Sequence, residues 1–331
     1  MINLNILVCG GAGYIGSHTV KKLKEQGHIP IVYDSFEAGH KEAISNTKFI
    51  CGDLSNTQLL KDTLVNEKID AVIHFAGYLA VGESVKIPEK YYTNNVTNTL
   101  NLLTCMKECK INKIVFSSSA AVYGSPREIP ISEKSILDPI NPYGETKLIV
   151  EKMLKYFEDA YEFHFVALRY FNASGADSSG TIGEDHNPET HLIPLVINAI
   201  INDKKIKIFG TDYDTKDGTC IRDYVHVTDL AQAHVLAINH LINGGQSERF
   251  NAGSGEGFSV KEIINAAEEI IGKKAIIKFE DKRVGDPPVL LADSNKIKKT
   301  LGWEPGYSDI KTIISTAYNW HKNHPNGYEN K

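Results

Sequence analysis

No apolar run in this chain reaches the length of a membrane-spanning helix. A basic surplus is missing too: 36 Lys and Arg stand against 41 Asp and Glu, a formal net charge of -5. That mild acidity argues against a general nucleic-acid or membrane-surface binder, so neither partner is expected. The opening "MINLNILVCGGAG" lacks a basic start and a long apolar core, so a signal peptide is not expected. It reads as a first strand entering a turn. Cysteine is sparse: Cys9, Cys51, Cys105, Cys109 and Cys220 form no C-x-x-C pair. Cys105 and Cys109 are four apart on a predicted helix, but no His-rich segment lies near them. Free buried thiols in a reducing, cytoplasmic setting are expected, with neither disulfides nor a metal. Internal repeats and low-complexity tracts are also absent, which removes solenoids and arrays.

What is present is 331 residues of ordinary globular composition, 42% hydrophobic and 23% charged. That length holds one large domain or two ordinary ones. Through the first half, short apolar runs alternate with helical stretches. "NILVCG", "IPIVYD", "FICGD", "DAVIHFAG", "KIVFSSSAAVYG" and "FHFVALRYFN" read as six strands. Helices are predicted over "YIGSHTVKKLKEQG", from Pro88 through "EKYYTNNVTNTLNLLTCMKECK", and over "YGETKLIVEKMLKYFEDA". Strand–helix alternation with near-continuous apolar strands predicts an α/β fold, a doubly wound parallel sheet covered on both faces. After Asn172 the order breaks into Gly-, Asp- and Asn-rich loops and shorter elements. The expected division is a Rossmann-type domain over 1–172 and a smaller mixed lobe over 173–331, with the chain returning to the first domain in places.

The segment "GGAGYIG" sets Gly10, Gly13 and Gly16 three apart, between a predicted strand and a predicted helix. Glycine there permits a tight turn and close approach of a pyrophosphate to the helix N-terminus. Alone the pattern is only a tight turn; its context points to a dinucleotide. Asp34 ends the second strand, where a carboxylate would hold a ribose and repel a 2'-phosphate, which favours NAD over NADP. Asp53 ends the third strand in "CGDL", where a carboxylate could reach an adenine; alone it reads as a turn residue. Further on, "NPYGETK" places Tyr143 and Lys147 on one helix face. That pair is by itself ordinary on a solvated helix.

Taken in order, "GGAGYIGSHT", "VIHFAGYLAVGES", "YYTNNV", "FSSSAAVYG", "NPYGETK", "LRYFN", "GTCIRDYVHVTDLA" and "RVGDPP" resemble the extended branch of the short-chain dehydrogenase/reductase superfamily, and within it the UDP-glucose 4-epimerases. The resemblance runs nearly end to end. It implies interconversion of UDP-galactose and UDP-glucose, in galactose metabolism, by transient oxidation at sugar carbon 4 through a 4-keto intermediate. Tyr143 would be the base and Lys147 would lower its pKa and hold the nicotinamide ribose. Ser119 would assist proton transfer. These three would touch both cofactor and substrate. Gly10, Gly13, Tyr14, Ile15, Gly16, Asp34, Asp53, Leu54, Phe75, Ala76, Gly77, Asn94 and Phe171 fall where the family lines its NAD site. Arg222 and Arg283 match diphosphate-binding arginines, which suit phosphate oxygens through a bidentate guanidinium. Asn172, Leu192, Phe209 and Asp286 fall where the nucleotide is held. The helices after Pro88 and Pro142 match those that pair in family homodimers. The other histidines are expected to be surface or packing residues.

Four positions depart from the family pattern. Tyr78 and Leu79 stand where many members have Leu-Lys and contact NAD through the lysine. His191 replaces an Asn, and Leu290 replaces a Tyr near the sugar. A sugar-nucleotide 4,6-dehydratase is the main rival, but that reaction needs an added acid and base. The family supplies them as Asp-Glu, where this chain has Ala120 and Ala121. A non-catalytic NAD-sensing protein would not need Ser119, Tyr143 and Lys147 together. An epimerase of another UDP-sugar, such as UDP-N-acetylglucosamine, shares every one of these motifs.

Overall fold

Alternation along a strand sends successive side chains to opposite faces, so a strand covered on both sides must be apolar throughout. The computed structural model describes residues 3–282 and 286–328. Six strands arise where the apolar runs predict them: β1 (Asn5–Cys9), β2 (Ile29–Asp34), β3 (Lys48–Cys51), β4 (Ala71–His74), β5 (Lys113–Ser119) and β6 (His164–Tyr170). Ile6, Val8, Ile73, Val115 and Val166 enter one apolar cluster. Their neighbours Leu7, Cys9, Val72, Ile114, Phe116 and Phe165 enter the cluster on the other side. Between the strands run α1 (Tyr14–Glu25), α2 (Thr57–Asn66), α3 (Val81–Lys86), α4 (Pro88–Tyr91), α5 (Asn98–Glu108) and α6 (Pro142–Tyr161).

Two elements differ from the sequence reading. The predicted fifth strand stops at Ser119, because the Ser119 hydroxyl oxygen accepts the Ala121 N–H at 3.1 Å and opens a 3-10 turn over Ala120–Tyr123. The helix predicted from Pro88 is not uniform: a π-turn over Tyr92–Thr97 separates α4 from α5. The thiols also differ in part, since Cys51 is exposed and Cys109 half-buried, while Cys9, Cys105 and Cys220 are buried and all five are free.

The second half contributes β7 (Asn172–Ser174), α7 (Leu192–Ile201), β8 (Lys205–Phe209), β9 (Ile221–His226), α8 (Val227–Ile242), β10 (Glu248–Ala252), β11 (Gly257–Ser259), α9 (Val260–Ile271), β12 (Ile276–Glu280), β13 (Val289–Leu290), α10 (Asn295–Leu301) and α11 (Ile310–Asn323). The main sheet has seven strands in the order β10-β6-β5-β4-β1-β2-β3, all parallel. Its seventh strand, β10, therefore comes from beyond Asn172. So does α8, whose Leu230, Val235 and Ile238 share an apolar cluster with Val20 and Leu23 of α1. The remaining elements form a smaller lobe around Ile193, Ile197, Ile206, Ile263 and Ile314. Strand order reverses between β1 and β4, and at such a switch point a crevice opens at the carboxyl ends of the strands.

Candidate active site

A cleft of about 910 Å³ occupies that crevice and runs on to the smaller lobe. Its first end is built by the turn after β1, where the three glycines do different work. Gly10 has φ +75, and a Cβ there would sit 2.5 Å from the Ala76 nitrogen. A Cβ on Gly16 would sit 2.3 Å from the Gly10 carbonyl oxygen, so α1 packs against its own entry turn only without a side chain. Gly13 is the N-cap of α1 and has no side-chain cap. A Cβ there would meet nothing nearer than the Gly10 carbonyl oxygen at 3.5 Å, so the turn is not crowded at the helix start, and the first N–H groups of a helix, which have no intrahelical partner, suit a phosphate. The Asp34 carboxylate accepts the Ala12 and Phe36 N–H groups, each at 2.9 Å. Burial raises its pKa and those two bonds oppose the rise. A carboxylate has about four lone-pair positions, so acceptor capacity remains for ribose hydroxyls. These features fit a dinucleotide whose ribose is unphosphorylated. Tyr14, Ile15, Asp53, Leu54, Phe75, Ala76, Gly77 and Asn94 line the same end.

The π-turn has a visible consequence here. It brings Asn95 inward, where its side chain accepts the Tyr78 N–H at 2.8 Å and donates to the Tyr78 carbonyl at 3.0 Å. The loop after β4 is thereby pinned. From it the Tyr78 hydroxyl donates to Glu37 at 2.8 Å, joining that loop to the one after β2. Leu79 lines the cleft and is 44% exposed.

Mid-cleft, β5 delivers Ser119 and α6 delivers Tyr143 and Lys147. The α6 start is sharply set: Asn141 accepts the Gly144 N–H at 2.9 Å, and Pro142 occupies the first turn. Lys147 donates to the Ser117 carbonyl at 2.8 Å and lies 5.8 Å from the centre of the Tyr143 ring. Burial lowers its pKa to about 8. Burial raises the Tyr143 pKa, and a hydrogen bond with Ser119 opposes that rise. Behind them, Glu151 lies two turns further along the same helix face and takes a two-pronged bond from Arg169 of β6, at 2.9 and 2.5 Å. Ser118 adds a third bond to Glu151 at 2.6 Å. α6 is thus clamped to β5 and β6 by a buried, fully paired network.

On the smaller lobe's side, Asn172, Arg222, Asp286 and Leu290 line the cleft, as does Phe171. Arg222 is ion-paired with Asp286 and also donates to the Ile221 carbonyl at 2.9 Å. Leu290 sits opposite Arg222 in the β13–β9 register. Leu192 and Phe209 are not among the lining residues: Leu192 packs into the smaller lobe's core, and Phe209 ends β8 opposite Glu280. Arg283 lies outside the described residues.

His186 departs from the expectation of a surface or packing role: it faces the cleft, as do His191 and buried Glu184. Burial alone would lower the His191 pKa, but Glu184 and Glu189 outweigh it and raise it to about 10. Glu184 itself is held near 2 because His186 and His191 outweigh its burial. Tyr170 also lines the cleft, hydrogen-bonded to the Ser117 hydroxyl. Apart from the departure at His191 and the place of Tyr170 within "LRYFN", nothing in the local sequence marks these residues, since each stands in an ordinary loop or strand end.

The family described as "NAD dependent epimerase/dehydratase family" matches residues 6–253. A UDP-glucose 4-epimerase of Halalkalibacterium halodurans is 53% identical over 329 residues, covering 98% of each chain. Among solved structures, UDP-glucose 4-epimerase from Brucella ovis in complex with NAD is 48% identical, with a TM-score of 0.94 over 96% of this chain and 98% of that one. The Bifidobacterium longum UDP-glucose 4-epimerase in complex with NAD+ and UDP is 38% identical, with a TM-score of 0.92 over 98% of this chain and 100% of that one.

Proposed function

The chain belongs to the NAD-dependent epimerase/dehydratase family, and from that membership we propose that it catalyses NAD-dependent 4-epimerisation of UDP-sugars, interconverting UDP-galactose and UDP-glucose. The observation that carries this reading is the meeting of Ser119, Tyr143 and Lys147 mid-cleft, between the open α1 N-terminus and Arg222. When bound, NAD supplies acceptance and return of a hydride at sugar carbon 4. Tyr143 takes the proton of the 4-hydroxyl and gives it back after the 4-keto sugar has presented its other face. A phenol with a raised pKa needs positive charge beside it to ionise, and Lys147 is the protein's own source. Ser119 shares the Tyr143 proton through their hydrogen bond. Arg222 takes a phosphate oxygen in exchange for Asp286, which frees that carboxylate for the nucleotide. Ala120 and Ala121 line the cleft without an ionisable group, which disfavours dehydration.

The division of labour follows the two parts of the chain: residues 1–172, completed by β10 and α8, hold the cofactor, and the smaller lobe holds the nucleotide. No helix among the described residues is long and apolar enough to cross a membrane. Five free thiols favour a reducing, cytoplasmic setting. A homodimer through α5 and α6 would cover Leu100 and Tyr156, which are 44% and 72% exposed. Incubating the pure protein with UDP-galactose and no added NAD, then identifying the nucleotide sugar formed, tests the function directly. UDP-glucose is the expected product. Unchanged substrate from protein shown to contain NAD would refute the reading.

A further inference from the structure

One loop points four metal-type donors at a single spot. The Glu184 Oε1 atom lies 2.7 Å from His191 Nδ1 and 3.1 Å from His186 Nδ1. Glu189 Oε1 lies 3.2 Å from His191 Nδ1, and Glu189 Oε2 lies 3.8 Å from His186 Nδ1. One donor atom from each of the four residues falls within 4.8 Å of all the others. We propose that Glu184, His186, Glu189 and His191 bind one divalent transition-metal ion, with Zn2+ the best match, at the cleft wall ahead of α7.

The dimensions allow that ion. Zinc bound tetrahedrally at about 2.0–2.2 Å keeps its ligand atoms about 3.3–3.6 Å apart, inside the 4.8 Å that spans one donor atom from each of the four residues. The donor set agrees as well, because imidazole nitrogen with carboxylate oxygen suits zinc better than calcium or magnesium. Charge supplies a reason for a cation. Glu184 is only 4% exposed, and among the described residues the ion pairs of Glu184 and Glu189 run to these two histidines alone. The frame is built independently of any ion. Trp320 Nε1 donates to the Glu184 carbonyl at 3.0 Å, the Thr190 and His191 N–H groups each donate to Glu189 at 2.7 Å, and the Tyr14 ring stands edge-on to His186. Such outer contacts orient ligands before metal arrives. Glu184, His186 and His191 line the cleft, so an ion has a route in. The E-x-H-x-x-E-x-H spacing is no familiar ligand motif, which is why the sequence alone predicts no metal.

The test uses the full chain, stripped with chelator and dialysed against low-micromolar ZnCl2. Elemental analysis should find one zinc per chain, and the His186→Ala/Glu189→Ala variant should bind it at least tenfold more weakly. Crystals of the zinc-loaded protein should show an anomalous peak amid the four side chains. Should the variant fail to fold, Co2+ added to the stripped wild type must give the intense visible bands of a four-coordinate site. Substoichiometric zinc in the wild type, equal binding by a folded variant, a peak elsewhere, or only the weak spectrum of hydrated Co2+ would each overturn the assignment.

Discussion

Lys147 is carried into the protein as a cation with a backbone carbonyl 2.8 Å away. Burial lowers its pKa from the ordinary 10.5 to about 8. Between those two values the unfolded chain binds the proton that the folded one has lost, so this group makes stability rise with pH there, and its cost is full below pH 8. Lys147→Met should therefore be more stable than wild type at pH 7, by about 1–3 kcal/mol after loss of the hydrogen bond. The advantage should fade as pH approaches 10.5. Urea unfolding of cofactor-free protein across that range measures it, and a destabilised variant with a pH-independent gap would refute it. Tyr143 makes the complementary case. Tyr143→Phe removes one oxygen, keeps the ring, and should retain fold and NAD binding while turnover falls at least about a hundredfold, the scale of acid–base catalysis. Near-wild-type turnover would dismiss Tyr143 as the base. Both residues were legible beforehand through the family resemblance that "NPYGETK" carries; the spacing of four added only that they share a helix face. The Ser117 carbonyl, the lysine's actual partner, was not, since it comes from a strand thirty residues earlier.

Among the elements, the β1–α1 turn carries the tightest constraint. The backbone oxygen of Gly10 occupies the space a Gly16 side chain would need, and backbone cannot swing aside as a rotamer can. Gly16→Ala should shift the start of α1, cost about 1–3 kcal/mol of stability by overpacking, and weaken NAD binding. Calorimetric melting together with NAD titration would show it, and wild-type values in both would contradict the packing argument. Turn glycines are readable from sequence because turn chemistry is local. The π-turn over Tyr92–Thr97 was not readable, because it is fixed by Asn95 reaching across to Tyr78 and to Thr146 on α6.

At the scale of the molecule, residues 1–172 lack their own seventh strand. They also lack α8, which shares the apolar cluster of α1. A fragment ending at Asn172 would bare the β6 edge and that helix-covered face, and should aggregate or remain unfolded. A cooperative melt of this fragment would show the first part to be self-sufficient. The joint between the parts also bears on substrate range. Leu290, on β13, packs against the cluster of Val122, Tyr123, Ile131 and Leu148 while lining the cleft. Leu lacks the length and hydroxyl of the Tyr that the family resemblance implies near the sugar, so we expect turnover of UDP-N-acetylglucosamine or UDP-N-acetylgalactosamine as well. Leu290→Tyr should depress kcat/KM for the N-acetyl sugar far more than for UDP-galactose, since overpacking a fitted site costs about 1–3 kcal/mol. Equal losses on both sugars, or no N-acetyl turnover in the wild type, would remove Leu290 as the gate.

By itself the sequence determined what neighbours along a chain can determine. Apolar runs of strand length alternating with helical periodicity specified a parallel sheet covered on both faces. Gly10, Gly13 and Gly16 specified the turn, and the helical stretch after Pro142 specified the helix that aligns Tyr143 with Lys147. Only the tertiary structure decided which ordinary residues meet across distance. It placed β10 beside β6, paired Arg222 with Asp286, joined Tyr78 to Glu37, and turned Glu184, His186, Glu189 and His191 toward one point. The reason is physical: periodicity and turn chemistry act within a few residues, whereas convergence of side chains is set by how separate elements pack, and spacing along the chain does not record it.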